Sequence, residues 1–174
     1  KIDAVEIDED AFMQAKENIA NTIWKENIQG HRQSIQSFSR DKNEQYDLIF
    51  SNPPFFENDL KSVDEQKNKA LHSSKLSLKE LVEIVYNLLR EKGMFCVLLP
   101  YLRTEYFIGL AEKENLFLHK KYLIKQTPQH NYFRSILFFT KDISENVTEI
   151  ITIKEEKEYS LRFSELLRDY YLYL

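Results

Sequence analysis

The chain has 174 residues, 43% of them hydrophobic, and a formal net charge of −4 at pH 7, which fits one globular domain with its own core. No stretch approaches the ~18 consecutive apolar residues of a membrane span, and none has the basic start and apolar centre of a signal peptide. Cys96 is the single cysteine, so the sequence excludes a disulfide framework and a cysteine-rich metal site and favours a cytoplasmic setting.

Predicted strands and helices alternate through the first 115 residues. The pattern predicts strands over residues 2–7, 28–35, 46–51 and 94–99, a helix capped by Asp8, a helix that begins after Ser77 and closes at Gly93, and a helix over 104–114. Residues 57–74 are polar and are expected to form a long mobile loop.

Strands follow one another directly in the last third of the chain. They are predicted over residues 116–125, 135–140 and 147–153, and an amphipathic helix follows with Phe163, Leu166, Leu167 and Tyr170 on one face. This order predicts an α/β fold whose sheet is mostly parallel and ends in antiparallel strands.

Glu6 stands at the end of the first predicted strand, where open α/β sheets bind ligands. Its carboxylate can accept hydrogen bonds from both hydroxyls of a ribose, and Ile7 can cover an adenine ring. A simpler interpretation is that the acidic run favours the N-terminus of the next helix. That interpretation suits Asp8, Glu9 and Asp10 better than Glu6, which still belongs to the strand.

The turn Asn52-Pro53-Pro54-Phe55 follows another buried-type strand. A plain loop is one interpretation, since Asn-Pro initiates turns. The functional one is that two prolines hold Asn52 in place and Phe55 stacks on a flipped base. The adenine amine is a poor nucleophile, and two acceptors, the Asn52 side-chain oxygen and the Pro53 carbonyl, favour its attack on an activated methyl group. This chemistry requires no metal.

A basic stretch runs from residue 115 to residue 141 without Asp or Glu. The candidate RNA-binding residues are Lys120, Lys121, Lys125, His130 and Arg134. Tyr132 and its neighbours could stack on RNA bases, although a solvated strand face explains the pattern equally well.

Several segments resemble a known family. The run Asp47-Leu48-Ile49-Phe50-Ser51-Asn52-Pro53-Pro54-Phe55 resembles the catalytic motif of class I S-adenosylmethionine-dependent amino-methyltransferases, and Val5-Glu6-Ile7-Asp8 resembles their cofactor-ribose motif. Closer likeness to the bacterial valine-tRNA adenine N6-methyltransferases comes from Ala15-Lys16-Glu17-Asn18-Ile19 with Trp24 and Ile28, from Lys69-Ala70-Leu71-His72, and from Tyr159-Ser160 with Tyr171-Leu172-Tyr173-Leu174.

The resemblance implies a seven-stranded Rossmann-like sheet, S-adenosylmethionine as cofactor, and a tRNA adenine beside the anticodon as target. By this likeness Glu6 and Ile7 hold the ribose and adenine of the cofactor. Ser34 and Ile35 stand where such enzymes contact the adenine edge, although the acidic residue common there is absent. Asn52, Pro53, Pro54 and Phe55 form the catalytic turn, and Asn52 also contacts the cofactor.

Only three glycines occur, and the family's first strand and glycine-rich loop have no counterpart in this chain. We therefore expect a longer protein whose N-terminal segment completes the sheet, so that residues 1–174 are an incomplete methyltransferase domain, inactive and weak in cofactor binding by themselves. Methylation of a protein glutamine amide or of DNA adenine, and a silent module that binds RNA or a protein, remain alternatives.

Overall fold

The computed structural model describes residues 1–42, 45–53 and 76–170. The chain divides into two compact units, Lys1–Gln45 and Tyr46–Leu174, which are described separately. The loop predicted over residues 57–74 lies outside the described residues, as do Pro54 and Phe55. No helix within the described ranges is long and apolar enough to cross a membrane.

The first unit is a β-α-β-α segment. Its elements are β1 (Ile2–Glu6), α1 (Glu9–Ala20), β2 (Ile28–Arg32) and α2 (Ile35–Asp41), and the two strands pair in parallel. Asp8 caps α1 as predicted, because its side chain accepts a hydrogen bond from the Ala11 amide at 2.9 Å. The strand predicted over 28–35 is shorter in the structure. Ser34 ends it by capping α2, a helix that the sequence did not predict.

The second unit is a mixed sheet with helices. Its elements are β3 (Tyr46–Ser51), α3 (Leu78–Leu88), β4 (Leu89–Pro100), a 3₁₀ turn (Tyr101–Arg103), α4 (Thr104–Lys113), β5 (Phe117–Lys125), β6 (Tyr132–Thr140), β7 (Val147–Thr152), β8 (Lys154–Glu155), β9 (Glu158–Tyr159) and α5 (Leu161–Leu167). In the described residues the order of the main sheet is β3-β4-β6-β5-β7, and β6 alone runs antiparallel to its neighbours. The predicted mostly parallel sheet with late antiparallel pairing is confirmed.

Three phenylalanines form the centre of the core in the second unit. Phe95 of β4, Phe107 of α4 and Phe139 of β6 have ring centroids between 5.7 and 6.2 Å apart. Val82 and Val85 of α3 are buried in the same cluster. Phe95 and Phe139 are paired across β4 and β6 and pack in one cluster with residues of α3 and α4. The two helices therefore cover the same face of the sheet.

Gly93 corrects one prediction. It does not close α3, which ends at Leu88, but lies buried within β4. A Cβ atom at this position would lie 2.8 Å from Leu89 Cδ1 and 2.9 Å from the Tyr46 carbonyl oxygen. The glycine therefore permits the close approach of β3 and β4 at a point where their register shifts.

Candidate functional site

Two neighbouring strand ends in the first unit carry the predicted cofactor residues. β1 and β2 are parallel, so Glu6 and Ile7 end one strand beside Ser34 and Ile35, which follow the other. The Gln33 amide donates to the Glu6 carbonyl oxygen at 3.1 Å and joins the two ends beyond the last paired residues. The structure thus brings these four predicted residues together at one edge of the two-stranded sheet.

The Glu6 side chain is held by one carboxylate oxygen. Its Oε1 accepts a hydrogen bond from the Asp8 amide at 2.8 Å, whereas Oε2 has no hydrogen-bond partner among the described residues. Ile7, the next residue, is 60% exposed. The remaining carboxylate oxygen can accept a hydrogen bond from a ribose hydroxyl, and the exposed Ile7 side chain can pack on a planar base beside it.

Ser34 uses its hydroxyl to begin α2. The oxygen accepts a hydrogen bond from the Ser37 amide at 3.1 Å, and the hydroxyl donates to Ser37 Oγ at 3.1 Å. Its side chain is therefore engaged within the helix start. Backbone groups and the half-buried Ile35 side chain are what this position offers to a ligand.

Asn52 and Pro53 follow β3 directly and differ in burial. The Asn52 side chain is exposed and makes no hydrogen bond to any described residue, whereas Pro53 is buried. Ser51, the last residue of β3, pairs with Val97 in the interior of β4. The buried ring anchors the chain at this point and presents the neighbouring amide to solvent.

Four strand ends of the second unit share one edge of its sheet. β3, β4, β5 and β7 all end there, and β6 begins there, because β6 alone is antiparallel. We call this the carboxyl edge and define it by Asn52, the 3₁₀ turn Tyr101–Arg103, Lys125 and Tyr132. The rings of Tyr101 and Tyr132 pack with their centroids 5.2 Å apart.

The predicted RNA-binding residues fall into two groups in the structure, and the first group consists of Lys120 and Lys121. Lys120 and Lys121 are successive residues of β5, so they point to opposite faces of the sheet. Lys120 Nζ lies 2.5 Å from Glu149 Oε1, and Lys121 Nζ lies 3.4 Å from Glu105 Oε1. Both lysines thus have acidic partners from other elements.

Glu149 joins three elements. It accepts hydrogen bonds from Lys120 of β5 and from Arg162 of α5. The bond to Glu149 is the main cause that raises the pKa of Lys120. The bonds from Lys120 and then from Arg162 lower the pKa of the Glu149 carboxyl.

The other three predicted residues lie at or beside the carboxyl edge. Lys125 Nζ donates to the Pro128 carbonyl at 3.1 Å, and His130 Nδ1 lies 2.7 Å from Thr127 Oγ1. Arg134 pairs with Pro100, the last residue of β4. Lys125 is thus the last residue of β5, His130 lies in the turn between β5 and β6, and Arg134 belongs to the first part of β6.

Sequence reasoning missed the 3₁₀ turn as a surface feature. Leu102 at its centre is 90% exposed, and it is flanked by Tyr101 and Arg103. The available signal was an aromatic, an aliphatic and a basic residue placed directly after Pro100, where a buried strand ends.

Comparisons with known proteins agree across the chain. Residues 1–95 match the family model described as "Conserved hypothetical protein 95". A "tRNA1(Val) (adenine(37)-N6)-methyltransferase" of Pectobacterium carotovorum subsp. carotovorum (strain PC1) is 33% identical over 175 residues, which cover 100% of this chain and 71% of that protein. A protein of the same description from Flavobacterium psychrophilum is 32% identical over 173 residues, which cover 99% of this chain and 74% of that protein.

The fold is also found among solved structures. A predicted O-methyltransferase from Agrobacterium tumefaciens superposes with a TM-score of 0.72 at 9% sequence identity, over 95% of this chain and 76% of that one. A putative methyltransferase from Thermoplasma acidophilum gives a TM-score of 0.58 at 14% identity, over 84% and 60% of the two chains. At such identities the likeness establishes a Rossmann-like methyltransferase fold.

Proposed function

The chain belongs to the family of tRNA1(Val) (adenine(37)-N6)-methyltransferases, and from this membership we propose that it transfers a methyl group from S-adenosylmethionine to N6 of an adenine in tRNA. We assign adenine 37 of valine tRNA, beside the anticodon, as the target, and the cytoplasm as the place of action. The observation that carries the chemistry is the exposed Asn52 amide, which the buried Pro53 anchors at the end of β3.

The cofactor half of the proposal rests on the first unit. Oε2 of Glu6 accepts a hydrogen bond from a ribose hydroxyl, and Ile7 packs on the adenine ring of the cofactor. The backbone at Ser34 and Ile35 contacts the edge of that ring. When bound, S-adenosylmethionine supplies a methyl group that is already activated by its sulfonium.

The target half rests on the turn after β3. The side-chain oxygen of Asn52 and the carbonyl oxygen of Pro53 accept hydrogen bonds from the two N–H groups of the adenine amine, which leaves the nitrogen lone pair available for methyl transfer. S-adenosylmethionine, when bound, would supply the methyl group to N6 and leave as the neutral thioether, and N6 would release one proton to water. Pro54 and Phe55, which the sequence predicts to belong to the catalytic turn, lie outside the described residues.

RNA binding in this proposal uses basic residues of the carboxyl edge. Arg134 pairs with Pro100 at the end of β4, Lys125 ends β5, and His130 lies in the turn between β5 and β6; we assign the three residues to the RNA backbone. Lys120 and Lys121 are already paired with Glu149 and Glu105, so we assign them a smaller share of RNA binding.

A transfer assay with three substrates tests the proposal. The full-length natural protein is incubated with methyl-labelled S-adenosylmethionine and with bulk tRNA, DNA or release-factor protein. We expect label in tRNA alone, and N6-methyladenosine after nuclease digestion. Label in DNA or protein but not in tRNA would replace the proposed substrate, and no label in any of the three would refute the activity.

A further inference from the structure

Leu102 is an exposed aliphatic side chain on a fixed support. It is 90% exposed at the centre of the 3₁₀ turn, yet Thr104, two residues later, is only 1% exposed. Thr104 Oγ1 lies 2.7 Å from Ser135 Oγ in a buried hydrogen bond, which ties the start of α4 to β6. The turn therefore presents an apolar side chain to solvent from a rigid base.

Aromatic and basic residues occur next to Leu102 in the turn and on the neighbouring strand β6. Tyr101 packs on Tyr132 with the ring centroids 5.2 Å apart, and both rings are partly exposed. Arg103 follows Leu102 directly, and Arg134 pairs with Pro100 just before the turn.

The two described segments that carry the turn and its aromatic partner contain basic residues. Residues 98–104 and 125–135 contain no Asp or Glu. Glu105, the first acidic residue after the turn, is held by Lys121 at 3.4 Å. Basic side chains beside partly exposed rings are suited to the phosphates and bases of an RNA strand and poorly suited to a basic partner.

The turn stands beside the proposed catalytic residue. Ser51 pairs with Val97, and β4 continues for three residues beyond Val97 to Pro100. At ~3.3 Å per strand residue, Pro100 lies about 10 Å further along than the end of β3, and the 3₁₀ turn begins at the next residue. Asn52 and Leu102 therefore lie beyond the ends of neighbouring strands at the same edge of the sheet, where one short single-stranded segment of RNA can contact both.

We propose that Leu102 is a wedge that enters the RNA stack where the target adenine leaves it, while Tyr101 and Tyr132 hold the adjoining base. This inference rests on the proposed function, because an adenine must leave its stack before its amine can reach the Asn52 turn. Proteins that unstack nucleic acid insert apolar side chains such as leucine between the bases. Leu102 acts here as a positioning residue and takes no part in the chemistry.

A single exposed leucine is common on protein surfaces and by itself indicates nothing. Three features separate Leu102 from that case: the rigid support below it, the aromatic pair beside it, and its place on the edge that carries Asn52. Ile143 provides the contrast, since it is 81% exposed in the loop between β6 and β7, at the opposite edge of the sheet.

The test compares Leu102→Ala with the control Ile143→Ala in the full-length protein. The probe is an anticodon stem-loop RNA with 2-aminopurine at the target adenine, since the fluorescence of this base rises when it is unstacked. We expect the natural protein and Ile143→Ala to raise the fluorescence equally and Leu102→Ala to abolish most of the rise. With unmodified tRNA, Leu102→Ala should raise the KM for tRNA by about tenfold, in the range of one lost stacking contact, with the KM for the cofactor unchanged.

Leu102→Met keeps an apolar wedge of similar volume and should restore both readouts. Equal fluorescence and equal KM in Leu102→Ala and the natural protein would overturn the wedge. If the natural protein methylates no tRNA but unstacks the probe in a Leu102-dependent way, the wedge stands and the proposed function fails. If it neither methylates tRNA nor unstacks the probe, both inferences fail.

Discussion

The hydroxyl oxygens of Thr104 and Ser135 lie 2.7 Å apart in a hydrogen bond that is buried from solvent. Thr104 is the first residue of α4 and Ser135 is an interior residue of β6, and their exposed fractions are 1% and 0%. A pair of polar groups at such depth is stable only while each satisfies the other. The pair therefore fixes the junction between the 3₁₀ turn and α4 against the sheet.

Ser135→Ala should lower the free energy of unfolding by about 1–3 kcal/mol, because it leaves the Thr104 hydroxyl without this partner in the core. The double variant Thr104→Val/Ser135→Ala removes both hydroxyls and should lose less than the sum of the two single variants. Urea unfolding of the three variants measures the coupling. Strict additivity of the losses would show that the two hydroxyls do not depend on each other.

Gly93→Ala should destabilise the protein, since the new Cβ atom would lie within 3.0 Å of both the Leu89 side chain and the Tyr46 carbonyl oxygen. Gly109→Ala is the matched control. It lies within α4, a Cβ atom there would have nothing within 4 Å, and the change should stabilise by about 0.5–1 kcal/mol through helix propensity. Thermal unfolding should thus shift in opposite directions, and a shift of the same sign in both variants would contradict the close approach at Gly93.

Asn52→Ala should lower kcat for tRNA methylation by about 100-fold, a loss typical of one positioned hydrogen-bonding group in a transition state. The side chain is exposed and has no described partner, so the unfolding midpoint should not change. Label transfer from S-adenosylmethionine and calorimetric unfolding are measured on the same samples. Retention of full activity would remove Asn52 from the proposed mechanism.

Glu6→Ala should raise the KM for S-adenosylmethionine by about tenfold or more, because a charged acceptor to a hydroxyl contributes about 1.5–3 kcal/mol. The KM for tRNA should remain unchanged. Glu17→Gln, at an exposed position of α1, serves as the control and should alter neither constant. A rise in the KM for tRNA alone would place Glu6 outside the cofactor site.

Protonation of Glu149 should lower the stability of the folded protein at acid pH. The hydrogen bond from Lys120 is the largest cause that lowers the pKa of the Glu149 carboxyl, and the hydrogen bond from Arg162 is the next largest. The stability that the charged carboxylate contributes is therefore present above the ordinary carboxyl pKa of 4.5 and is lost as the pH falls through the lower pKa of the folded state. Glu149→Gln should therefore unfold at a lower temperature than the natural protein at neutral pH, and the difference should shrink below that value. Glu145→Gln, in the exposed loop before β7, should show no such convergence.

Local signals in the sequence predicted local structure well. Asp8 and Ser77 each cap a helix through a backbone amide three residues later, an interaction that is encoded entirely by nearby residues. The prediction that Gly93 closes α3 was wrong because a glycine is suited equally to a helix end and to a close approach of two strands. Only the pairing of β3 with β4, which involves residues more than forty positions apart, separates these cases.

Long-range contacts also explain why the sequence did not predict the acidic partners of the basic stretch. No acidic residue occurs between residues 115 and 141, yet Lys121 and Lys120 find Glu105 and Glu149 on α4 and β7. Composition within a segment cannot reveal a partner that the fold brings from elsewhere. The strand ends at Glu6 and Asn52 were located correctly because strand and turn patterns are local, while the roles of both residues remain predictions. Pro54 and Phe55 lie outside the described residues.

Asn52 and Pro53 are adjacent in sequence but face different selective pressures. A substitution at the buried Pro53 acts on packing and so on the amount of folded protein, whereas one at the exposed Asn52 leaves the fold intact. Under the role proposed for Asn52, one surface substitution after β3 would therefore remove the activity while the protein still folds, and a measurement of the amount of folded protein would not detect the loss.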